Sequence, residues 1–241
     1  MTPADADGTV EFADRAVYLP DADALVLADV HLGRGEASMV DAPIDAAERV
    51  VERIAELLDR FDPATVAIAG DLLHSFSWIP RGVRLAIEGT EAAIDGAGAE
   101  LVCTPGNHDA MLADVFDGET APARRLADGE TVVCHGHERP QLDGSRYVIG
   151  HDHPALAVEG RKHPCFLYGP GAYEDGDGAA DVLVLPAFSR LARGTTVNAR
   201  RGRDFQSPLV TDADAFHPVI RDVDGEETLW FPPLGECRRV L

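Results

Sequence analysis

Five short stretches of this chain end in side chains of the kind that hold divalent metal ions. They are Asp29-Val30-His31, Gly70-Asp71-Leu72-Leu73-His74, Gly106-Asn107-His108-Asp109, His135-Gly136-His137 and Gly150-His151-Asp152-His153. Their oxygen and nitrogen donors suit hard or borderline ions, and one carboxylate set between two such groups can bridge a metal pair. Cysteine is absent from all five stretches, which excludes a thiolate site there. The pattern predicts a two-metal centre, whose chemistry is the activation of water and the neutralisation of charge on substrate oxygens.

Each stretch follows a short apolar run that reads as a buried strand: residues 24–28, 65–69, 100–104, 131–134 and 147–149. Polar residues delivered at strand carboxyl ends are how layered α/β proteins build ligand sites. Glycines 70, 106, 136 and 150 let the backbone turn sharply and come close to the ions.

In order and content the blocks resemble the signature of calcineurin-like metallophosphoesterases: D-x-H, G-D-x-x-[DH], G-N-H-[DE], a lone H, then G-H-x-H. The resemblance runs from about Ala24 to Phe188. Residues 28–33, 70–74 and 150–154 look more narrowly like archaeal SbcD-related phosphoesterases and the bacterial PdeM proteins associated with DNA ligase. The resemblance implies an α/β fold, a four-layer αββα sandwich of two mixed sheets flanked by helices.

The same resemblance implies a division of labour. Asp29, His31 and His153 would hold one metal, Asn107, His135 and His151 the other, with Asp71 bridging. A water shared by two divalent ions has a lowered pKa and can attack phosphorus in line, with no covalent enzyme intermediate. His108 would stabilise the transition state or protonate the leaving oxygen, a role suited to an imidazole. Position 74 carries Asp in phosphatase-like members and His in nuclease-like ones. His74 therefore points to a phosphodiester, with His74 and His108 paired on the leaving group. The cofactors implied are two divalent ions, manganese first, with iron and zinc admitted by the donor set. DNA or RNA is the implied polymer substrate. A small-nucleotide phosphodiesterase or phosphatase is the alternative, and a non-catalytic binding scaffold is disfavoured because every ligand position and His108 are filled.

The chain has 241 residues, and ligands spread from Asp29 to His153 without a linker predict one domain over 1–241 and no separate capping domain. Acidic residues number 42 against 21 basic, a net charge of -21, and Lys162 is the only lysine. Carboxylate excess with arginine replacing lysine fits a surface hydrated in molar salt. Nucleic-acid binders usually carry a basic footprint. At about 1 M salt, however, the Debye length is roughly 3 Å, so distant carboxylates are screened and net charge neither supports nor excludes a polynucleotide.

Cysteines 103, 134, 165 and 237 lack C-x-x-C spacing and read as reduced structural thiols of a cytoplasmic protein. Strand alternation turns Cys134 away from His135 into the core. The first seven residues have no export signal, and no run reaches membrane-spanning length.

Among the elements, 9–12 and 16–19 predict an opening hairpin, and apolar spacing from Ile44 to Phe61 predicts a helix closed by Pro63. A second helix is expected over Arg81–Asp95, and runs at 156–158, 164–168 and 182–185 are expected to complete a second sheet. Residues 174–178 read as a surface loop and 229–234 as a closing strand. His137 reads as a neighbour of the site or a surface residue, Asp109 as a hydrogen-bonding support, and Asp152 as pointing away from the metals. His163 and His217 read as non-catalytic. Arg34 could touch a substrate phosphate or lie on the surface. Arg190, Arg193, Arg200, Arg201 and Arg203 could track phosphates. Pairing with carboxylates is the simpler expectation for them, because interleaved aromatics are missing.

Overall fold

A computed structural model of the chain describes residues 9–34, 43–74, 79–175, 178–222 and 227–238. The first seven residues, and residues 176 and 177 in the expected acidic loop, lie outside the described residues, as do the side chains of Ile44 and Ala47.

Strands β1 (Glu11–Ala13) and β2 (Ala16–Leu19) form the expected hairpin. Its two-residue turn places Asp14 at φ 48°, a left-handed conformation that Asp tolerates better than most residues. Next come β3 (Ala24–Leu27), helix α1 (Pro43–Phe61), β4 (Thr65–Ile68), helix α2 (Arg81–Gly96), β5 (Glu100–Cys103) and β6 (Glu119–Thr120). The six strands form one sheet in sequence order, parallel from β3 to β6.

The helical period in α1 brings Val50, Ile54, Leu57 and Leu58 onto one buried face, and α2 buries Val83, Ala86, Ile87 and Ile94. Both faces pack on Leu25, Leu27, Val66 and Ile68 of the first sheet. The alternate residues Val26, Ala28, Ala67 and Ala69 face a second sheet.

The rest of the chain supplies β7 (Ala123–Arg125), β8 (Thr131–Cys134), β9 (Arg146–Ile149), β10 (Pro154–Val158), β11 (Arg161–Pro164), β12 (Phe166–Asp175), β13 (Gly178–Val184), β14 (Thr195–Thr196), β15 (His217–Asp222), β16 (Glu227–Trp230) and the short helix α3 (Leu234–Cys237). Seven of these strands form the second sheet, in the order β16-β15-β12-β13-β9-β8-β7. Its inner face sets Val133, Val148, Phe166, Leu183 and Leu185 against the first sheet, giving the mixed two-sheet sandwich. The outer face, with Val132, Tyr147, Leu167 and Val184, is covered by Phe205, Leu209, Phe216 and Leu234. These come from irregular segments, single-turn 3-10 helices and α3, so among the described residues the long helices lie on the first sheet.

The run at 156–158 does not complete the second sheet. His151 and His153, at φ 69° and 46°, lie in the turn that leaves the line of β9, and β10 pairs instead with β11 and β14 in a small separate sheet, β11-β10-β14. Strand β12 is longer than expected because a register shift between Gly169 and Tyr173 carries it past Pro170. The closing strand ends at Trp230, before the prolines at 232 and 233, which cannot donate to a ladder.

All four cysteines are free and buried, with Cys134 in the outer core. Among the described residues no helix is long and apolar enough to cross a membrane.

Ile54 is 1% exposed and Leu85, on the same helical layer, is 56% exposed. Ile54→Ala should therefore cost about 2–5 kcal/mol in a urea unfolding curve. Leu85→Ala should stay within about 0.5 kcal/mol of the parent.

Candidate metal centre

The carboxyl ends of β3, β4 and β5 meet those of β8 and β9 at one rim of the sandwich. Asp29, His31, Asp71 and Asn107 come from the first sheet, and His135, His151 and His153 from the second. Hydrogen bonds from Asp29 N to Gly70 O and from His31 N to Asp71 O, both 2.9 Å, join the loops after β3 and β4.

Backbone conformation does much of the aiming. Among the described residues nine that are not glycine have positive φ, and five of them are Asp29 (54°), His31 (47°), Asp71 (49°), His151 (69°) and His153 (46°). Each left-handed residue costs about 1–2 kcal/mol. The bend makes side chains two positions apart converge instead of running parallel. Such strain concentrates at functional sites and persists only where its surroundings enforce it.

The other six expected ligand residues gather about Asp71. Its Oδ1 accepts the His108 backbone N–H at 2.9 Å and lies 3.6 Å from His135 Nε2. Its Oδ2 lies 3.9 Å from His31 Nε2 and 4.0 Å from His108 Nε2. His135 Nδ1 is 3.2 Å from Ala69 O, a contact that calls for the proton on Nδ1 and leaves the Nε2 lone pair facing inward. That Nε2 is 3.1 Å from both Asn107 Oδ1 and His151 Nδ1.

On the other side, Asp29 Oδ1 is 3.0 Å from His153 Nε2, which is 3.2 Å from His31 Nε2. Asp29 Oδ2 accepts the His151 N–H at 2.9 Å. Two compact triads result, Asp29 with His31 and His153, and Asp29 with Asp71 and His135, each with donor atoms within 4.8 Å of one another. Asp29 thus stands between the two halves together with Asp71, a sharing the sequence reading did not foresee.

The electrostatics fit a cation. Burial, helped by His153 and Arg34, pushes the His31 pKa down to about 2, and burial pushes that of His135 down to about 4. Both imidazoles are neutral at pH 7, as metal ligation requires. Burial opposes charge on His153 too, but the adjacent Asp29 carboxylate overrides it and raises its pKa. Burial raises the pKa of Asp71, a carboxylate taken out of water without a full counter-charge. Buried carboxylates and converging lone pairs of oxygen and nitrogen form a donor set that a divalent ion satisfies.

His74 and His108 lie beside this set rather than in it. Their rings stack at 5.6 Å and 15°, and each meets the His31 ring edge-on at 5.5 Å. His108 is partly exposed and Asn107 is exposed, so the site opens to solvent on this side. Burial first, then Arg34 and His108, lowers the His74 pKa. The charge of Arg34 works against protonation of His31, His74 and His153. His137 packs its ring 5.1 Å from that of His135.

Supports surround the donors. The buried Asp109 carboxylate accepts from Leu73 N and Gly106 N, both at 2.8 Å, and from Leu72 N at 3.3 Å, fixing the loops that carry Asp71 and Asn107. Asp152 points away from the donors as expected, and accepts from Gln206 N at 2.8 Å and Ser207 N at 3.1 Å.

Behind Asp29, Phe188 N and Ser189 N donate to Ala28 O and Asp29 O at 2.8 and 3.3 Å. Arg15 holds Ala187 O and Ser189 O, at 3.0 and 2.7 Å, and Arg53 holds Phe188 O at 2.9 Å and Asp14 at 2.6 Å. Sequence reading missed this clamp. Its partners are up to 174 residues apart, and no local pattern signals them.

Glycines admit the closest approaches. A Cβ on Gly106 would lie 2.1 Å from Asp71 Oδ1, and one on Gly150 would lie 2.5 Å from Asp29 Oδ2.

A family model described as "Calcineurin-like phosphoesterase" matches residues 23–164. No curated protein sequence matches the chain significantly. Among solved structures, the nuclease MPE of Pseudomonas putida shares 25% identity with the chain, covers 86% of it and 88% of its own length, and superposes with a TM-score of 0.57. The phosphoesterase Yfce of E. coli shares 16% identity over 87% of this chain and 98% of its own, with a TM-score of 0.44.

Gly106→Ala should push the Asp71 carboxylate aside and weaken Mn²⁺ binding, measured by titration calorimetry, about 10-fold or more. Gly96→Ala, where a Cβ meets nothing within 4 Å, should bind Mn²⁺ as the parent does.

Proposed function

Since the chain belongs to the calcineurin-like phosphoesterases, metal-dependent hydrolases, we propose that it cleaves phosphodiester bonds with two divalent ions, manganese being the expected metal. One ion would be held by Asp29, His31 and His153, the other by Asn107, His135 and His151, with Asp71 between them. The observation that carries this reading is the orientation of Asp71, one oxygen toward His135 at 3.6 Å and the other toward His31 at 3.9 Å. When bound, the metal pair supplies a water of lowered pKa and positive charge for the phosphoryl oxygens.

The chain's own residues supply the rest. His31 and His135 stay neutral and keep their lone pairs on the donor set, and Asp109 keeps the Asp71 and Asn107 loops in register. His108, stacked on His74 beside Asp71 Oδ2, would deliver the proton to the leaving oxygen. His74 would hold that ring in place and share the work on the leaving group. Arg34 would meet a phosphoryl oxygen at the rim.

A nucleic acid is the substrate class favoured, as DNA or RNA. The likeness to the P. putida nuclease supports it. So does His74, which stands where the resembling phosphatases carry Asp.

The test is Mn²⁺-dependent hydrolysis in molar KCl of a chromogenic phosphodiester, its monoester, and single-stranded and hairpin DNA. Diester cleavage is expected, and His108→Ala should reduce it about 10²–10⁴-fold. His74→Asp should lower it as well, and undiminished diesterase activity there would refute the pairing. Turnover of the monoester alone would move the protein to small-molecule phosphatases. Silence on every substrate despite two bound metals would leave a binding scaffold.

A further inference from the structure

Cations are scarce on this chain, yet they gather on segments joined to the turn that carries His151 and His153. Between residues 187 and 211 there are five arginines and a single carboxylate, Asp204, in a molecule of net charge -21. The small sheet β11-β10-β14, which begins directly after His153, adds Arg161 and Lys162 on β11. Lys162 Nζ reaches across to Gly194 O at 2.5 Å, so the lone lysine joins the same patch.

The patch is fastened to the ligand turn itself. Thr195 N donates to His153 O at 2.7 Å, and β14 runs parallel to β10 from that point. Gly194, at φ 63°, passes so close that a Cβ on it would sit 2.9 Å from His153 O. At the far end of the segment, Gln206 N and Ser207 N are held by the carboxylate of Asp152, between the two ligand histidines.

Chain length then bounds the arginines. Arg193 is two residues from Thr195, at most about 7 Å of extended chain, and Arg203 is three residues from Gln206, about 11 Å. Pairing accounts for only part of the cluster. Arg190 lies 3.9 Å from Asp14, and Arg200 is turned onto Asp204 O. Arg203 is 82% exposed and only 3.9 Å from the neighbouring Asp204, a contact that neutralises little. Arg193 and Arg201 are exposed.

We propose that Arg193, Arg201 and Arg203, with Lys162, form a phosphate-tracking strip that binds the nucleotides flanking the cleaved bond, making a polynucleotide the substrate class. The proposal rests on the phosphodiesterase reading for the identity of the reaction, but the strip lies outside the metal donor set. Contacts would be to backbone phosphates alone, since no aromatic side chain is interleaved with Arg193, Arg201 and Arg203 to stack bases. Recognition should therefore be indifferent to sequence.

The test uses the full chain carrying Arg193→Ala with Arg203→Ala, over KCl concentrations at which circular dichroism shows the fold intact. Anisotropy of a fluorescent single-stranded oligodeoxynucleotide reads binding, and hydrolysis of the small chromogenic diester reads chemistry. The expected result is binding weakened on the order of tenfold, and a salt slope reduced by about 0.7 for each arginine removed. Turnover of the small diester, which is too short to reach the strip, should match the parent. Unchanged oligonucleotide binding and salt slope would overturn the proposal, as would an equal loss on both substrates, which marks a segment that supports the fold. Displacement of the oligonucleotide by an acidic phosphopeptide at lower concentration than by unlabelled DNA would also overturn it, in favour of a protein partner. Failure of the phosphodiesterase reading would look different: no diester hydrolysed, with oligonucleotide binding still sensitive to the two arginines.

Discussion

Carboxylates and imidazoles are crowded within 3 to 4 Å of one another, out of water, at the end of this sandwich, and that crowding governs what surrounds it. Left-handed residues at the strand ends are the means, and each is unfavourable on its own. The loops around them are accordingly tied down. Asp109 gathers three backbone N–H groups, Asp152 gathers two, and the segment 187–189 is pinned against Ala28 and Asp29 by two arginines. Strain in the centre is thus balanced by hydrogen bonds in a ring around it.

Much of that centre was legible in the sequence, because ligand chemistry fixes residue types at short spacing. Asp29 with His31, and His151 with His153, are local pairs, and the five blocks come together as their order suggested. Helices α1 and α2 were equally local, since amphipathic period and prolines mark them within a residue or two. The glycines were readable as places of close approach, and Gly106 and Gly150 lie against the carboxylates of Asp71 and Asp29.

Long-range partnership was not legible. The runs that became β8 and β9 look like those of β3 to β5, but only strand pairing decides that they belong to the second sheet. The departure of β10 follows a turn with two left-handed histidines, His151 and His153, a conformation that a residue's type does not announce. Alternation gave the direction of Asp152 but not its partners 54 and 55 residues away, and Arg15 finds its carbonyls 172 and 174 residues on. The outer layer over the second sheet was obscure for a related reason. Phe205, Leu209 and Phe216 cover that sheet from irregular backbone, which has no period to detect.

The division of donors between the two sheets has a thermodynamic consequence. Asp29, His31 and Asp71 ride on one sheet, His135, His151 and His153 on the other, so any cation gripped by both acts as a rivet through the sandwich. The free energy of its capture adds to the adhesion of the two halves, about 2.7 kcal/mol when free ion stands at 100 times its dissociation constant. The cohesion of the fold would thereby become a function of metal supply.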